Sequence, residues 1–245
     1  ETVLLLPNID KLIGSVLFCC KVRLRLCLRQ CIPENVQAGK PFLVSVGCRN
    51  EFGLWKRDDF PCDGTVPLDA ELLSLHGDPV DPSTYHFEKE GEMVMDRSGK
   101  LDFSLRLVFG DDVIGAALLH IFVARDFRGL SRPMLPVLSP PLQLKPEVQL
   151  PHPVHLTLEQ CRLINIHGQS LLCAECQGDL GIGGRVWDGA LVLLEYLAET
   201  PLHGRYLELG SGTGLVGMAC ALLGAEVLLT DLDEVTPLLE FNVAL

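Results

Sequence analysis

The stretch Tyr206 to Asp231, YLELGSGTGLVGMACALLGAEVLLTD, decides the fold of the C-terminal part of the chain. A short apolar strand from Tyr206 to Leu209 runs into glycines at 210, 212 and 214. A helix is expected from about Leu215 to Leu223, with Gly224 where a left-handed C-cap would end it. A second apolar strand, Val227 to Thr230, delivers Asp231 at its carboxyl end. Strand, glycine loop, helix and strand make one half of a nucleotide-binding βαβ arrangement, in which glycine lets backbone approach a ligand and the carboxylate meets ribose hydroxyls. The sequence stops 14 residues after Asp231, so the domain that this motif opens is expected to be incomplete.

Gly212 to Gly217 also satisfies the G-x-G-x-x-G spacing, and Asp231 stands 19 residues beyond Gly212, so a nicotinamide dinucleotide is the rival ligand. Two details separate the readings. Glu208 stands inside the strand, two residues before Gly210, where a strand buried on both faces for a dinucleotide is normally apolar. In an E-x-G-x-G-x-G arrangement the carboxylate lies beside the loop, where it can organise glycine amides and the amino-acid part of S-adenosylmethionine. The glycines also begin one step earlier, at Gly210, which suits a ligand without pyrophosphate.

Gly178-Asp179-Leu180-Gly181, then Arg185-Val186-Trp187-Asp188-Gly189-Ala190-Leu191-Val192-Leu193, then the glycine loop and Thr230-Asp231-Leu232 closely resemble the seven-β-strand protein lysine methyltransferases. The group resembled is the one whose members modify chaperones, the valosin-containing ATPase and elongation factors. The resemblance covers about residues 160–245, roughly a third of the chain. It implies S-adenosylmethionine as cofactor and a protein substrate. Trp187 would pack against the cofactor, Glu208, Gly210, Ser211 and Gly212 would form the methionine-side loop, Gly214 would complete the glycine motif, and Asp231 would accept the ribose hydroxyls. An indole face near a sulfonium gains cation–π attraction, and the helix after the loop offers free amides.

Alternatives stand beside these roles. Trp187, Leu191, Leu194 and Ala198 share helical spacing, so Trp187 could be a core residue, and Glu208 could be a solvated strand end. Asp233 could compete with Asp231, but it reads as sequence preceding a helix with Thr236 as N-cap and Pro237 at the first position. In the family resembled, adenine contacts follow the third strand and the lysine pocket the fourth, so the catalytic residues are expected beyond residue 245. The chain by itself is expected to be inactive and to bind the cofactor weakly or not at all, because the loop lacks neighbouring strands to hold its shape.

The first half reads as strands. Val22, Leu24, Leu26 and Leu28 alternate with Arg23, Arg25 and Arg29, and the same period of two recurs from Phe42 to Cys48 and from Leu101 to Phe109. Weaker strands are expected at Ala70–Leu75, Thr84–Glu88 and Leu118–Ala124, and the arginine face of the first strand reads as a solvated edge. Together they predict an antiparallel, immunoglobulin-like β-sandwich over residues 1–148, followed by a proline-rich stretch at about 130–153 that suits a linker or the last edge strand plus linker, and an incomplete Rossmann-like methyltransferase domain over 149–245. Val36-Gln37-Ala38-Gly39-Lys40-Pro41-Phe42 and Asn50-Glu51-Phe52-Gly53 loosely resemble filamin-type repeats. A sandwich of this kind would recruit the substrate protein. The rival reading is a non-catalytic interaction module whose methyltransferase-like tail is vestigial.

The net charge is −12: residues 1–150 hold 17 basic against 20 acidic side chains, and residues 151–245 hold 3 against 12. So acidic a second half repels a phosphate backbone and argues against nucleic acid as substrate. No apolar run reaches the ~18 residues of a membrane span, and residues 13–20 read as a buried strand. The ten cysteines sit among aliphatic positions as small hydrophobes, which suits thiols in the cytosol or nucleus. Cys173-x-x-Cys176, with only His167 nearby, falls short of a closed metal site.

Overall fold

The computed structural model describes residues 24–245 except 51–53, 56–59, 62–63, 132–133, 151–152 and 154. The strand expected at residues 13–20 lies outside the described residues. Two compact units emerge, one of Val22–Leu150 with Glu159–Cys161, the other of Pro151–Leu158 with Arg162–Leu245. Among the described residues, no helix is long and apolar enough to cross a membrane.

The first unit contains strands β1 (Leu24–Leu28), β2 (Pro41–Arg49), β3 (Val66–Leu73), β4 (Tyr85–Glu90), β5 (Val94–Met95), β6 (Lys100–Phe109), β7 (Ala116–Val123), β8 (Met134–Leu135), β9 (Val137–Leu138) and β10 (Leu142–Gln143). One sheet has the order β4-β6-β2-β1-β8; in the other, β9, β7, β3 and β5 are neighbours and β10 also pairs with β7. The period-two residues explain why both sheets bury one face. Phe42, Val44 and Val46 of β2 and Phe103, Leu105 and Leu107 of β6 join Leu68, Leu72, Leu119 and Ile121 of the other sheet in a single core.

Two expectations are corrected in this unit. The β1 strand is not a solvated edge: it lies between β2 and β8, all five of its residues are buried, and Arg25 is only 3% exposed. Nor is the pairing wholly antiparallel, since Leu24 and Arg25 pair in parallel with Met134 and Leu135. The proline-rich stretch follows the reading that gives it strand as well as linker: β8 is the edge of the first sheet. Its prolines cut it into two-residue strands that pair with β1 and β7 and bury Leu138, Leu142 and Leu144.

The second unit takes up β11 (Gln160–Ile166) from Arg162 onward, followed by β12 (Gln169–Glu175), α1 (Gln177–Leu180), a 3-10 turn (Gly181–Gly184), α2 (Asp188–Ala198), β13 (Arg205–Leu209), α3 (Leu215–Leu222), β14 (Glu226–Thr230) and α4 (Thr236–Ala244). Sequence reading misses the β11–β12 hairpin. Its signal is His167-Gly168, where φ values of 50° and 82° provide the left-handed turn that suits the twist of paired strands.

β13 and β14 pair in parallel from Arg205↔Glu226 to Leu209↔Thr230. The α3 helix buries Leu215, Met218 and Ala219 in a core with Val186 and Leu194, against which Leu229 of β14 also packs. On the opposite face Leu207, Leu209 and Leu228 are 53%, 77% and 63% exposed. Gly224, with φ 95°, follows α3 as the C-terminal glycine expected there. Thr236 is the first residue of α4 and not its N-cap; Val235 holds that position, and Thr236 Oγ1 donates to the Leu232 carbonyl at 3.3 Å.

Candidate functional site

The glycine loop leaves β13 through three left-handed glycines, Gly210, Gly212 and Gly214, with φ of 66°, 55° and 79°. Only glycine takes these values without strain. The three are not alike in their surroundings. A Cβ at Gly210 would meet open space, one at Gly212 would come within 3.1 Å of the Gly183 carbonyl oxygen, and one at Gly214 would collide with Leu239 at 2.4 Å. Gly214 is therefore a packing glycine, and it lies outside the cleft described below.

Side chains fix the loop from both strands. Ser211 is buried; its backbone N–H donates to the Thr230 carbonyl at 3.0 Å, and its Oγ accepts from the Thr230 N–H at 3.1 Å. Thr230 Oγ1 donates to the Glu208 carbonyl at 2.8 Å. Asp231 accepts two backbone N–H bonds, from Gly212 at 2.6 Å and from Leu232 at 2.7 Å. On α4, Asn242 is 2% exposed, and its Oδ1 accepts from the Ala174 N–H at 2.8 Å. Its Nδ2 donates to the Thr213 carbonyl at 2.9 Å and to the Ala174 carbonyl at 3.2 Å. The sequence gives Asn242 no bonding role, because no local pattern marks an amide that bonds 29 and 68 residues away.

A second segment faces the loop. Val186 N–H donates to Glu175 Oε1 at 2.7 Å, and the other oxygen of this buried carboxylate pairs with Arg162 Nε at 2.9 Å. Trp187 then stands immediately before α2, 44% exposed, with its Nε1–H donating to the Ile182 carbonyl at 3.0 Å. The Arg185 guanidinium lies over the indole ring, 4.4 Å from its centroid. That is the kind of position in which sequence reading expects the sulfonium of a ligand.

Loop and segment enclose a cleft of about 650 Å³, within the size range of small-ligand sites. Trp187, Glu208, Gly210, Ser211, Gly212 and Asp231 all line it. Of the residues read from the sequence as cofactor-binding, only Gly214 is not among the lining residues. Arg185, Ile182 and Glu234 also line it, beyond the site residues expected from the sequence.

Glu208 stands out chemically. Its Oε2 is buried without a hydrogen-bond partner and lies against Gly217 of α3, where a Cβ would come within 2.6 Å. Burial pushes its carboxyl above the ordinary glutamate range; the nearby Gly217 amide opposes this and the Asp231 charge adds to it. The cysteine pair differs in character. Burial pushes the Cys173 thiol up to about 12 and the Cys176 thiol to about 11, so both are protonated at neutral pH. His167 is turned elsewhere, with Nε2 at 2.8 Å from the Ala198 carbonyl at the end of α2.

A family model described as lysine methyltransferase matches residues 166–245, a span that contains the entire cleft. Residues 166–245 are thus similar to the lysine methyltransferase family. The same segment is similar to protein N-lysine methyltransferase METTL21A of Xenopus tropicalis, 49% identical over 67 residues that make up 26% of this chain and 31% of the relative. It is 38% identical to protein-lysine N-methyltransferase EFM6 of Saccharomyces cerevisiae over 96 residues, 31% of this chain and 39% of the relative. Against EEF1A lysine methyltransferase 3 of Xenopus tropicalis the identity is 42% over 69 residues, 27% of this chain and 31% of the relative. The matches thus span between 31% and 39% of the length of these relatives. Among solved structures, the Lin-41 filamin domain aligns with 49% of the chain and 91% of its own length at 13% identity and a TM-score of 0.26, too low to assign the fold of the first unit.

Proposed function

We propose that the chain carries the cofactor-binding part of an S-adenosylmethionine-dependent protein-lysine methyltransferase. The observation that carries this reading is the buried, unpartnered Glu208 oxygen in the same cleft as Asp231 and the glycine loop. A carboxylate in that state suits a cationic ligand group, and the α-ammonium of the cofactor is one. Asp231, oriented by two loop amides, retains lone pairs for the ribose diol. The open space over Gly210 lets a ligand lie on bare backbone. Ser211 and Gly214 shape the loop.

Bound S-adenosylmethionine supplies a methyl group for transfer to an amine. The work left to the protein is to align the reactants and exclude water. A lysine side chain of a protein is the substrate class, by similarity to relatives named as lysine methyltransferases. We assign the first unit an immunoglobulin-like arrangement and the task of positioning that protein.

Bonds from Thr230, Asp231 and Asn242 reach the loop from within this chain and support measurable binding by it; the titration below also decides the sequence expectation of weak or no binding. Ligand-detected NMR titration, which reads weak affinities, should show tighter binding of S-adenosylhomocysteine than of NAD. Tighter binding of NAD would overturn the proposal. Asp231→Ala should weaken nucleoside binding by about 1–3 kcal/mol, the usual cost of losing hydrogen bonds to a charged group.

A further inference from the structure

Four charged side chains line the cleft: Glu208, Asp231, Glu234 and Arg185. Three carboxylates and one guanidinium favour cationic and hydroxyl-bearing parts of a ligand over most of the surface, and among the charged side chains only Arg185 favours an anionic part. The cofactor invoked above ends in an α-amino acid, so its carboxylate must avoid the acidic wall. We infer that Arg185 is the anchor for this carboxylate, an inference that rests on the cofactor reading of the cleft.

The local build supports that role. The guanidinium lies 4.4 Å over the Trp187 ring, and the indole is itself fixed by its 3.0 Å bond to the Ile182 carbonyl. Between the two residues, the Val186 N–H is tied to Glu175 Oε1 at 2.7 Å, and Glu175 is held by Arg162. The backbone on which both side chains stand is therefore pinned from within the fold. A guanidinium beside an aromatic ring carries a planar set of N–H donors, a fork that can receive a carboxylate through two parallel bonds. Trp187 acts here as a positioning residue for Arg185, and Arg185 as the binding residue.

The test deletes the carboxylate from the ligand and the guanidinium from the protein in turn. S-adenosylhomocysteine and 5′-deoxy-5′-methylthioadenosine, a nucleoside thioether without the amino-acid part, are titrated into the 245-residue chain and its Arg185→Met and Arg185→Lys variants. Arg185→Met should weaken S-adenosylhomocysteine about 10- to 100-fold and change methylthioadenosine less than about twofold, with Arg185→Lys between. Equal weakening of both ligands would mean that Arg185 only supports Trp187 and would overturn the inference. Unchanged S-adenosylhomocysteine binding would overturn it while leaving the cofactor reading intact. Failure of the unmodified chain to bind either nucleoside would overturn both.

Discussion

Glu208 sits where stability and binding pull in opposite directions. Its carboxyl is raised mainly by burial, so the folded state holds its proton to higher pH than the unfolded chain does. A carboxyl raised in this way makes the fold less stable as pH climbs from the ordinary glutamate pKa through the raised one. Glu208→Gln should therefore stabilise the fold modestly at pH 7 and raise the unfolding midpoint, the gain being limited because solvent still reaches the group. The gain should vanish below about pH 4, where glutamate is protonated in both states. The same variant should weaken S-adenosylhomocysteine binding about tenfold or more, since it removes the charge offered to the ligand's ammonium. Thermal melts across pH with and without ligand check both signs. A variant less stable at pH 7, or one that binds as tightly as the parent, would show that Glu208 is a structural carboxylate.

At the scale of elements, α4 fastens the glycine loop from outside the motif. Asn242 satisfies the Ala174 N–H and the carbonyls of Ala174 and Thr213, joining β12 to the loop. Asn242→Leu leaves those backbone groups without their partner and should destabilise the second unit by roughly 3 kcal/mol, at about 1–3 kcal/mol for each buried unsatisfied group. Asn242→Asp keeps the acceptor for Ala174 N–H but sets a carboxylate oxygen against two carbonyls, so it should be nearly as damaging. Urea unfolding followed through the second unit measures both; a mild aspartate variant would mean that the carbonyl bonds contribute little. The contrast with β13, α3 and β14 shows what a sequence makes legible. Those elements follow from residues only one to four positions apart: apolar runs, a glycine stop, a terminal aspartate. Neither the Asn242 bonds nor the hairpin turn at His167 has a comparably strong local mark. Arg25 illustrates the same limit, because alternation assigns it a face of β1 but not whether another strand covers that face.

Across the whole molecule, the two units are not divided at a single point in the sequence. Glu159–Cys161 returns to the first unit after the intervening segment has joined the second. There the Gln160 side chain accepts the buried Leu28 N–H at 3.0 Å, 132 residues away, and Cys161 pairs with Leu138 of β9. Leu28 ends a strand buried along its entire length, so its amide has little access to water if that acceptor is removed. A fragment of residues 22–150 would have every named strand of the first unit but leave this donor unsatisfied. A fragment of residues 22–161 would restore the acceptor and the Cys161 pair. The longer fragment should be more stable by about 1–3 kcal/mol, the cost of one buried unsatisfied amide, with the added pair contributing further. Gln160→Leu in the longer fragment should remove most of that gain, because leucine can cover the same surface but cannot accept a hydrogen bond. Chemical denaturation of the three fragments decides the matter: equal midpoints for the short and long forms would show that the unit is complete at residue 150, and a leucine variant as stable as its parent would assign the gain to the strand pairing alone.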